Sequence, residues 1–372
     1  MNRGRVGEPG STLLGSRIHW RAWAMVGALL VIWLVLALAT QGTFLLPRNL
    51  SLLARQMAVT SILATGMVLV IVAGQIDLSV GALAGLLGAV AALFAVKLGW
   101  PTPLAVLLAP LCGAALGAGQ GALVARLRIP PFIVTLGGML LFQGTLLGLT
   151  RGVSIAPPRD FLEIGQAYLP RPAGWVLGGL LAPFLLGLAL RGPRPTPARG
   201  VGLALLTLGF VATLNAYEGV PMPVLIVLLL AAGLAFTADR TPFGRHLYAI
   251  GGNREAAHYA GIAIETRVVQ VFTLMGALAG IAGVVLTARV GAATSDAGRM
   301  MELDAIAAAV IGGTSLLGGQ GRVFGALLGA LVMASLDNGM SLLNTEAFWQ
   351  PILKGAILVA AVAVDMAGRR RN

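Results

Sequence analysis

Four acidic side chains lie at or near apolar segments, where a charge is costly. They are Asp77 in GQIDLSVG, Glu302 and Asp304 in MELDAIAAAVIGGTSLLGG, and Asp337 in SLDNGM. An ionisable group in hydrocarbon must face protein or water, and such groups commonly line ion or substrate pathways. A structural role is the alternative, because Asp77, Glu302 and Asp304 each precede a run of small residues, and a carboxylate stabilises the first turn of a helix. Both interpretations stay open.

The sequence carries none of the common enzymatic signatures. It has no GxxxxGK[ST] phosphate loop, no HExxH or CxxC metal motif and no GxSxG nucleophile elbow. The histidines His19, His246 and His258 do not have the spacing of metal ligands, and the single Cys112 excludes an intrachain disulfide. We therefore predict no catalytic residue, no metal and no cofactor, and an integral-membrane enzyme is the less favoured class.

A polar segment interrupts the apolar sequence at residues 244–262, GRHLYAIGGNREAAHYAGI. Within it, residues 254–260 are good helix formers; Gly251 and Gly252 precede them, and Gly261 follows at the position of a C-terminal glycine cap. We predict a short helix here that is too polar to enter a membrane. An ordinary solvated loop is the alternative, but a helix held between two membrane spans favours contact with a soluble partner.

These groups belong to a chain with the composition of a membrane protein. Charged residues make up 11% and hydrophobic residues 57%, with a mean hydropathy of +0.88, whereas a soluble domain has about 25% charged residues. The 51 glycines have no collagen-like period and suit membrane helices whose backbones pack closely. The net charge of +12 does not indicate nucleic-acid binding, because the basic residues stand at the ends of apolar runs.

Apolar segments long enough to cross a bilayer recur along the chain, since about 20 residues span about 30 Å of hydrocarbon. Nine segments are free of interruption, and three more in the last third include two that are short or broken. The sequence therefore predicts an all-α, polytopic integral membrane bundle of about 12 transmembrane helices. The segments are 22–40, 56–76, 78–96, 102–125, 130–150, 173–190, 200–217, 220–238 and 268–288, followed by 305–321, 323–336 and 348–366.

The distribution of basic residues predicts the orientation of the bundle. Twelve spans place both termini on one side, and most of the 26 lysines and arginines then fall on that side, which the positive-inside rule assigns to the cytoplasm. Residues 1–21 are then a disordered, basic cytoplasmic tail, residues 22–367 the transmembrane domain and residues 368–372 a second cytoplasmic tail. The loop 239–267 is cytoplasmic, and the loops 151–172 and 289–301 are outside.

Two segments predict helices that break inside the membrane. GQIDLSVG (74–81) and GGTSLLGGQGR (312–322) place glycines and polar residues between small-residue helices, and such breaks are tolerated only where they are buried in protein or line a cavity. Glycines also recur four apart, at 81 and 85, 113 and 117, 276 and 280, and 325 and 329. This spacing permits close helix contact, and we expect it within one bundle rather than at a dimer seam.

Longer strings of the sequence resemble the monosaccharide permeases of ABC importers. The EAA-xxx-G pattern (Glu255, Ala256, Ala257, Gly261) resembles the loop on which such permeases dock their ATPase. More specific likenesses are AGQIDLSVGALAGL (73–86), IPPFIVTLGGMLLFQGTLLGLTRG (129–152), TPFGRHLYAIGGNREAAHYAGI (241–262) and ELDAIAAAVIGGTSLLGGQGRVFGALLGAL (302–331), and the resemblance runs from about residue 45 to 366. Extra material at about 171–219, enough for two spans, and the string SLDNGMSLLNTEAFWQPILKG (335–355) are similar to the xylose permease branch.

The resemblance implies a fold, a function and partners. The fold is that of a type II-like ABC importer permease with a cytoplasmic coupling helix, in the bacterial inner membrane. The function is ATP-driven import of a monosaccharide, with a pentose of the xylose type favoured. The partners are a second permease subunit (a homodimer), two cytoplasmic ABC ATPases and a periplasmic sugar-binding protein. Arg254, Glu255, Ala256, Ala257 and Gly261 would couple the permease to the ATPase.

Three further residues are candidates for the translocation pathway or its gate by their position: Asp77, Ser79 and Asn338. An ion-coupled secondary transporter is the alternative function, because intramembrane acids and broken helices also occur in that class. A membrane receptor without transport is a third class. Uptake that needs a separate ATPase favours the importer, and uptake abolished by a protonophore favours the secondary transporter. Gln75 stands where the family has a second glycine, which leaves the substrate contacts open.

Overall fold

The structure, a computed structural model, describes residues 11–190 and 197–370. Its regular elements are almost all α-helices, which confirms the all-α class. The helices are α1 (Ser11–Ala39), α2 (Pro47–Val72), α3 (Val80–Lys97), α4 (Thr102–Arg126), α5 (Pro131–Thr150), α6 (Arg159–Gln166), α7 (Arg171–Leu190), α8 (Pro197–Asn215), α9 (Met222–Arg240), α10 (Pro242–Gly252), α11 (Arg254–Tyr259), α12 (Ile264–Val290), α13 (Met301–Ile311), α14 (Val323–Leu342) and α15 (Trp349–Arg370). Two short strands, β1 (Tyr168–Leu169) and β2 (Val220–Pro221), pair antiparallel.

The long helices have the length and composition of membrane spans. Seven described helices, α2, α3, α4, α5, α9, α12 and α14, are long and apolar enough to cross a bilayer, and shorter apolar segments lie in α1 and α8. The protein is therefore a polytopic helical membrane protein, as predicted. Each of the twelve predicted segments coincides with a helix, but α13 has 11 residues and is only about 17 Å long at 1.5 Å per residue. The predicted span at 305–321 is thus a half-length helix, which ends where Gly312 and Gly313 begin the loop to α14.

Several helix boundaries differ from the predicted ones. Helix α1 begins at Ser11, inside the predicted tail 1–21, and α15 extends to Arg370, inside the predicted tail 368–372; residues 1–10 and 371–372 lie outside the described part. Helix α2 begins at Pro47 rather than at residue 56, because Pro47 occupies the first helical position. Arg55 is consequently inside a helix, where its guanidinium donates hydrogen bonds to the Gly165 carbonyl and the Tyr168 hydroxyl, both at 3.2 Å.

Among the described helices, α4 and α12 share the most extensive contact, and glycine makes their close approach possible. A Cβ on Gly113 would overlap the carbonyl oxygen of Gly276, and a Cβ on Gly117 would overlap that of Phe272. Gly280 packs in the same way on the Ala109 carbonyl. The glycine pairs on α3 and α14 also contact neighbouring backbone within the chain, which confirms the prediction that these glycines pack inside one bundle.

Two short helices were not predicted. Helix α6 crosses the 151–172 segment and packs its buried Phe161 against the bundle beside the end of α12. Helix α10 occupies residues that the sequence pattern assigns to a loop, so Gly251 and Gly252 end one helix rather than merely precede another. The extra material at 171–219 forms α7 and α8, which pack against each other more extensively than against the rest of the chain.

Candidate functional site

The polar segment between α9 and α12 folds into two helices joined by one residue. Thr241 caps α10, since its side chain accepts a hydrogen bond from the Gly244 N–H at 3.3 Å. Asn253 both ends α10 and caps α11: its side-chain oxygen accepts from the Ala256 N–H at 2.9 Å. Gly261 closes α11 with a φ of +78°, a conformation that favours glycine. The predicted short helix at 254–260 is confirmed, with α11 ending at Tyr259.

Helix α11 presents most of its surface to the exterior of the chain. Of the five predicted coupling residues, Arg254, Glu255, Ala256 and Gly261 are exposed, and only Ala257 is buried, at 3% exposure. Tyr259 is 88% exposed, more than any other large apolar or aromatic side chain among the described residues. An exposed aromatic ring on a capped helix is typical of a surface that contacts another protein.

A groove of about 1090 Å³ separates α11 from the membrane-spanning part of the chain. One wall is formed by α11 and the start of α12, including Arg254, Glu255 and His258. The opposite wall contains Arg128 and the Ile129–Pro131 link between α4 and α5. Gly74 and Gln75 also line this groove, so the broken segment after α2 lies at the same end of the bundle as α11.

Asp77 and Ser79 lie together in the break between α2 and α3. The Asp77 carboxylate accepts hydrogen bonds from the Ser79 N–H at 2.8 Å and from the Ser79 hydroxyl at 2.7 Å. The Gln120 amide of α4 donates to the Ser79 hydroxyl oxygen at 3.0 Å. All three side chains are buried. The Asp77 carboxylate bonds to Ser79, the N-cap residue of α3, and not to an N–H of the first turn, so α3 has no side-chain cap and Asp77 does not cap it directly. Gln120 was not identified from the sequence, because an isolated glutamine in an apolar run carries no signal.

A second half-helix meets this break. Glu302 and Asp304 occupy the first turn of α13, as the capping interpretation predicts. The Glu302 carboxylate lies against Gly81 so closely that a Cβ there would overlap it. Glu302 is 4% exposed, and its Oε2 has no hydrogen-bond partner among the described residues. Two helix N-termini, those of α3 and α13, therefore converge on buried carboxylates.

Asn338, the third pathway candidate, lies elsewhere. Its amide exchanges hydrogen bonds with Asn49 of α2 at 2.8 and 3.0 Å and donates to Gln56 at 3.3 Å. Asn49 stands 23 residues before Val72 on the same helix, which corresponds to about 35 Å. The structure therefore brings Asp77 and Ser79 together but places Asn338 near the opposite end of α2.

Asp337, next to Asn338 in α14, belongs to an ion cluster with Asp304 of α13 and Lys354 of α15. Lys354 contacts Asp304 and Asp337, each at 2.9 Å. The sequence shows Lys354 only as an interruption of the last span, whereas the structure uses it to join α15 to two carboxylates. A cavity of about 350 Å³ lies beside the cluster, lined mainly by apolar residues of α13, α14 and α15.

Comparison with known proteins agrees with this architecture. A family model described as "Branched-chain amino acid transport system / permease component" matches residues 49–362. The chain is 47% identical over 369 residues to the xylose transport system permease protein XylH of Escherichia coli strain K12, covering 95% of this chain and 94% of the relative. It is 43% identical to XylH of Haemophilus influenzae, covering 95% of this chain and 98% of the relative. It is 36% identical to the ribose import permease protein RbsC of Escherichia coli strain K12, covering 95% of this chain and 98% of the relative.

No solved structure matches the chain. The family model covers most of the 372 residues, and the relatives are covered over nearly their whole length. The matched region contains both broken segments and the α10–α11 segment. This chain belongs to the branched-chain amino acid transport system / permease component family.

Proposed function

We propose that this chain is the membrane-spanning subunit of an ATP-driven ABC importer for a monosaccharide, with xylose as the first candidate. The observation that carries the proposal is the near-full-length identity to two permeases named for xylose transport, at 47% and 43%, against 36% to one named for ribose. The family description refers to branched-chain amino acids, but these relatives are named for sugars. The substrate is therefore taken from the relatives rather than from the family description.

The proposed assembly contains two copies of this chain, two cytoplasmic ABC ATPases and a periplasmic sugar-binding protein in the bacterial inner membrane. Helix α11 supports the ATPase contact, because it is capped at both ends, exposed and joined to the bundle by α10. Both termini and the 239–267 segment face the cytoplasm in this assembly, in agreement with the distribution of basic residues. ATP hydrolysis takes place on the separate ATPase chain.

Three of the four acids give the ion-coupled alternative no support; the fourth, Glu302, has an Oε2 without a hydrogen-bond partner among the described residues and is the acid that the uptake test below examines. Ion coupling needs a carboxylate that can exchange its cation or proton during transport. Asp77 already accepts two hydrogen bonds from Ser79, and Asp304 and Asp337 are both paired with Lys354. Uptake of labelled xylose tests the choice: the importer requires the ATPase and survives a protonophore, whereas a secondary transporter loses uptake on addition of the protonophore.

The docking surface is tested by the double substitution Glu255→Ala and Gly261→Ala. Loss of the carboxylate removes an exposed charge, and alanine at a φ of +78° costs about 1–2 kcal/mol of backbone strain. We expect the ATPase to be lost on co-purification while the permease remains folded, with uptake lost in parallel.

A matched control exists on the opposite side of the bundle. Glu163 is exposed, and Gly152 has a φ of +74°, where an added Cβ would meet no other atom within 4 Å. The double substitution Glu163→Ala and Gly152→Ala carries the same chemical change and the same strain. It should leave the ATPase bound. Equal retention of the ATPase by both double variants would rule out α11 as the docking element.

Orientation is tested by single-cysteine labelling in a Cys112→Ser background. Tyr259→Cys places a thiol on α11, and Val153→Cys places one in the 151–172 segment, where Val153 is 66% exposed. A membrane-impermeant maleimide should label Val153→Cys in intact cells and Tyr259→Cys only in inside-out vesicles. Labelling of Tyr259→Cys in intact cells would place α11 outside, where no ATPase could bind it.

A further inference from the structure

Four glycines bring three separate segments into backbone contact at the α11 end of the bundle. They are Gly74 after α2, Gly251 in the last turn of α10, and Gly318 and Gly319 in the α13–α14 loop. We call them the glycine junction. The Gly319 N–H donates a hydrogen bond to the Val72 carbonyl at 2.9 Å.

Gly251 stands at the centre of the junction. A Cβ on Gly251 would overlap the Val72 carbonyl oxygen and would lie 2.6 Å from the Gly319 nitrogen. From the other side, a Cβ on Gly318 would lie 3.0 Å from the Gly251 Cα, and one on Gly319 would lie 2.8 Å from the Gly252 Cα. All of these contacts are with backbone atoms, which cannot move aside by a change of rotamer. The approach therefore requires glycine.

The two loops that meet at Gly251 have similar sequences. Gly74-Gln75 precedes the start of α3, and Gly319-Gln320 precedes the start of α14. The sequence likeness extends into the helices that follow. Gly81-Ala82-Leu83 with Gly85 in α3 corresponds to Gly325-Ala326-Leu327 with Gly329 in α14. Each loop thus joins one helix that ends at the junction to a glycine-rich helix that leads away from it.

Both loops lead to the convergence of buried carboxylates. Asp77 follows Gly74 by three residues, and the α13–α14 loop follows the helix whose first turn holds Glu302. Glu302 in turn packs on Gly81 of α3. A displacement of Gly251 would therefore act on both partners of the Gly81–Glu302 contact, one through each loop.

On its other side, the junction is connected to α11 by a short, ordered path. Only Gly252 and Asn253 separate Gly251 from Arg254, and Asn253 donates its N–H to the Ala249 carbonyl at 3.0 Å while its side chain caps α11. The Tyr248 hydroxyl adds a second link, since it donates to the Gly321 carbonyl at 2.9 Å. Burial raises the pKa of the Tyr248 phenol above its ordinary value, with Asp239 acting in the same direction, so the hydroxyl keeps its proton at neutral pH.

We propose that the glycine junction, with Tyr248, positions the two broken segments in response to movement of α11, and so couples the ATPase to the permease pathway. This inference rests on the proposed function, because it assigns α11 to the ATPase. Gly251 and Tyr248 act as positioning residues, since neither lies at the carboxylates. Direct backbone contact transmits displacement without a flexible side chain between the elements.

The test compares Gly251→Ala with Gly252→Ala in the complete transporter, reconstituted with its ATPase and sugar-binding protein. The two substitutions add the same methyl group to adjacent residues of α10, but nothing lies within 4 Å of a Cβ on Gly252. The readout is labelled xylose transported per ATP hydrolysed. Gly251→Ala should lower this ratio by about tenfold, within the usual range of an allosteric coupling, with ATP hydrolysis and co-purification retained. Gly252→Ala should leave the ratio unchanged.

A milder variant guards against misfolding of Gly251→Ala. Tyr248→Phe removes only the hydroxyl that bonds to Gly321, and it should lower the ratio about fivefold, at the weak end of the same range. A purely structural role would lower uptake and hydrolysis together and leave the ratio intact. If Tyr248→Phe, or a folded Gly251→Ala, transports as much xylose per ATP hydrolysed as the wild type, the proposed role of the glycine junction is wrong. The proposed function would be unaffected by that result. Absence of ATP-dependent uptake by the wild-type chain overturns both.

Discussion

The two ends of α2 are held in different ways. At the amino-terminal end, side chains make directional hydrogen bonds: Asn49 and Gln56 bond to Asn338 of α14, and Trp33 of α1 donates to Ser335 at 3.0 Å. At the carboxyl-terminal end, the Val72 carbonyl and Gly74 meet the backbone of Gly251 and Gly319.

The difference assigns different mechanical roles to the two ends. A network of buried amides fixes one geometry, because any displacement leaves a polar group without a partner. The glycine contacts at the other end involve no buried side-chain hydrogen bonds, so the contacting segments can be displaced together by small amounts without leaving a polar side chain unpaired. We therefore expect the amino-terminal end of α2 to be an anchor and the carboxyl-terminal end to be the part that moves.

The largest effect is expected from Lys354→Met, which breaks the ion cluster beside the anchor. Loss of the ammonium leaves the buried Asp304 and the half-buried Asp337 without their cation. Removal of one partner of a buried ion pair typically costs about 3–5 kcal/mol, and we expect the lower end, about 3 kcal/mol, because solvent screens the exposed part of the cluster. The midpoint of thermal unfolding in detergent should fall accordingly. Lys97→Met, at an exposed cation at the end of α3, is the control and should change stability by less than about 0.5 kcal/mol.

Neutralising the acids as well sharpens this result. The triple variant Lys354→Met, Asp304→Asn and Asp337→Asn contains no unpaired charge and should recover most of the lost stability. If Lys354→Met were as stable as Lys97→Met, the cluster would not hold α15, and the anchor would be limited to the amides.

A smaller effect is expected from Asn338→Leu. The change removes the donor to the side-chain oxygens of Asn49 and Gln56, whereas the Asn49 amide still donates to the Phe44 carbonyl at 2.8 Å. Leaving such oxygens unpaired costs about 1–3 kcal/mol. Ser341→Ala, at an exposed position of the same helix, should be nearly neutral. Asn338 was a pathway candidate by sequence, and the two roles have different signatures. If Asn338 is an anchor, its substitution lowers the unfolding temperature. If it is a pathway residue, its substitution lowers xylose uptake at unchanged stability, and the amino-terminal end of α2 would then not be the anchored end.

The sequence predicted the elements of the moving end better than those of the anchor. The 254–260 helix and both broken segments follow from local signals, namely glycine punctuation and polar residues within apolar runs. Helix α10 was missed because Gly251 and Gly252 were interpreted only as the residues before a single helix, although Phe243, Leu247 and Ile250 recur at helical spacing. The start of α2 was placed late, since Arg48 and Arg55 read as loop residues.

The contacts of the anchor could not be predicted from one sequence. Asn49 and Asn338 are 289 positions apart, and no local pattern joins them. In the sequence, Lys354 is only a charge that interrupts an apolar span, and its partners Asp304 and Asp337 become apparent only in the structure. The junction is an intermediate case: its glycines are visible in the sequence, but their mutual contact depends on the packing of three segments.

The smallest effect is expected at the link between the moving end and α11. Asn253→Ala removes the side-chain acceptor for the Ala256 N–H, and loss of such a cap costs about 1 kcal/mol of helix stability. Because α11 has only six residues, this cost should appear as weaker ATPase binding, by up to about fivefold, since 1.4 kcal/mol corresponds to tenfold. Asn253→Ser keeps an acceptor at the cap and should bind within about twofold of wild type.

The unfolding temperature of the bundle should be unchanged in both Asn253 variants, because the anchor is untouched. The measurement is ATPase affinity for the purified permease, made alongside thermal unfolding. Equal affinity for the alanine and serine variants would show that the cap does not order α11 for docking. A fall in unfolding temperature with Asn253→Ala would show that the α11 end contributes to global stability, and α2 would then have two anchored ends rather than one.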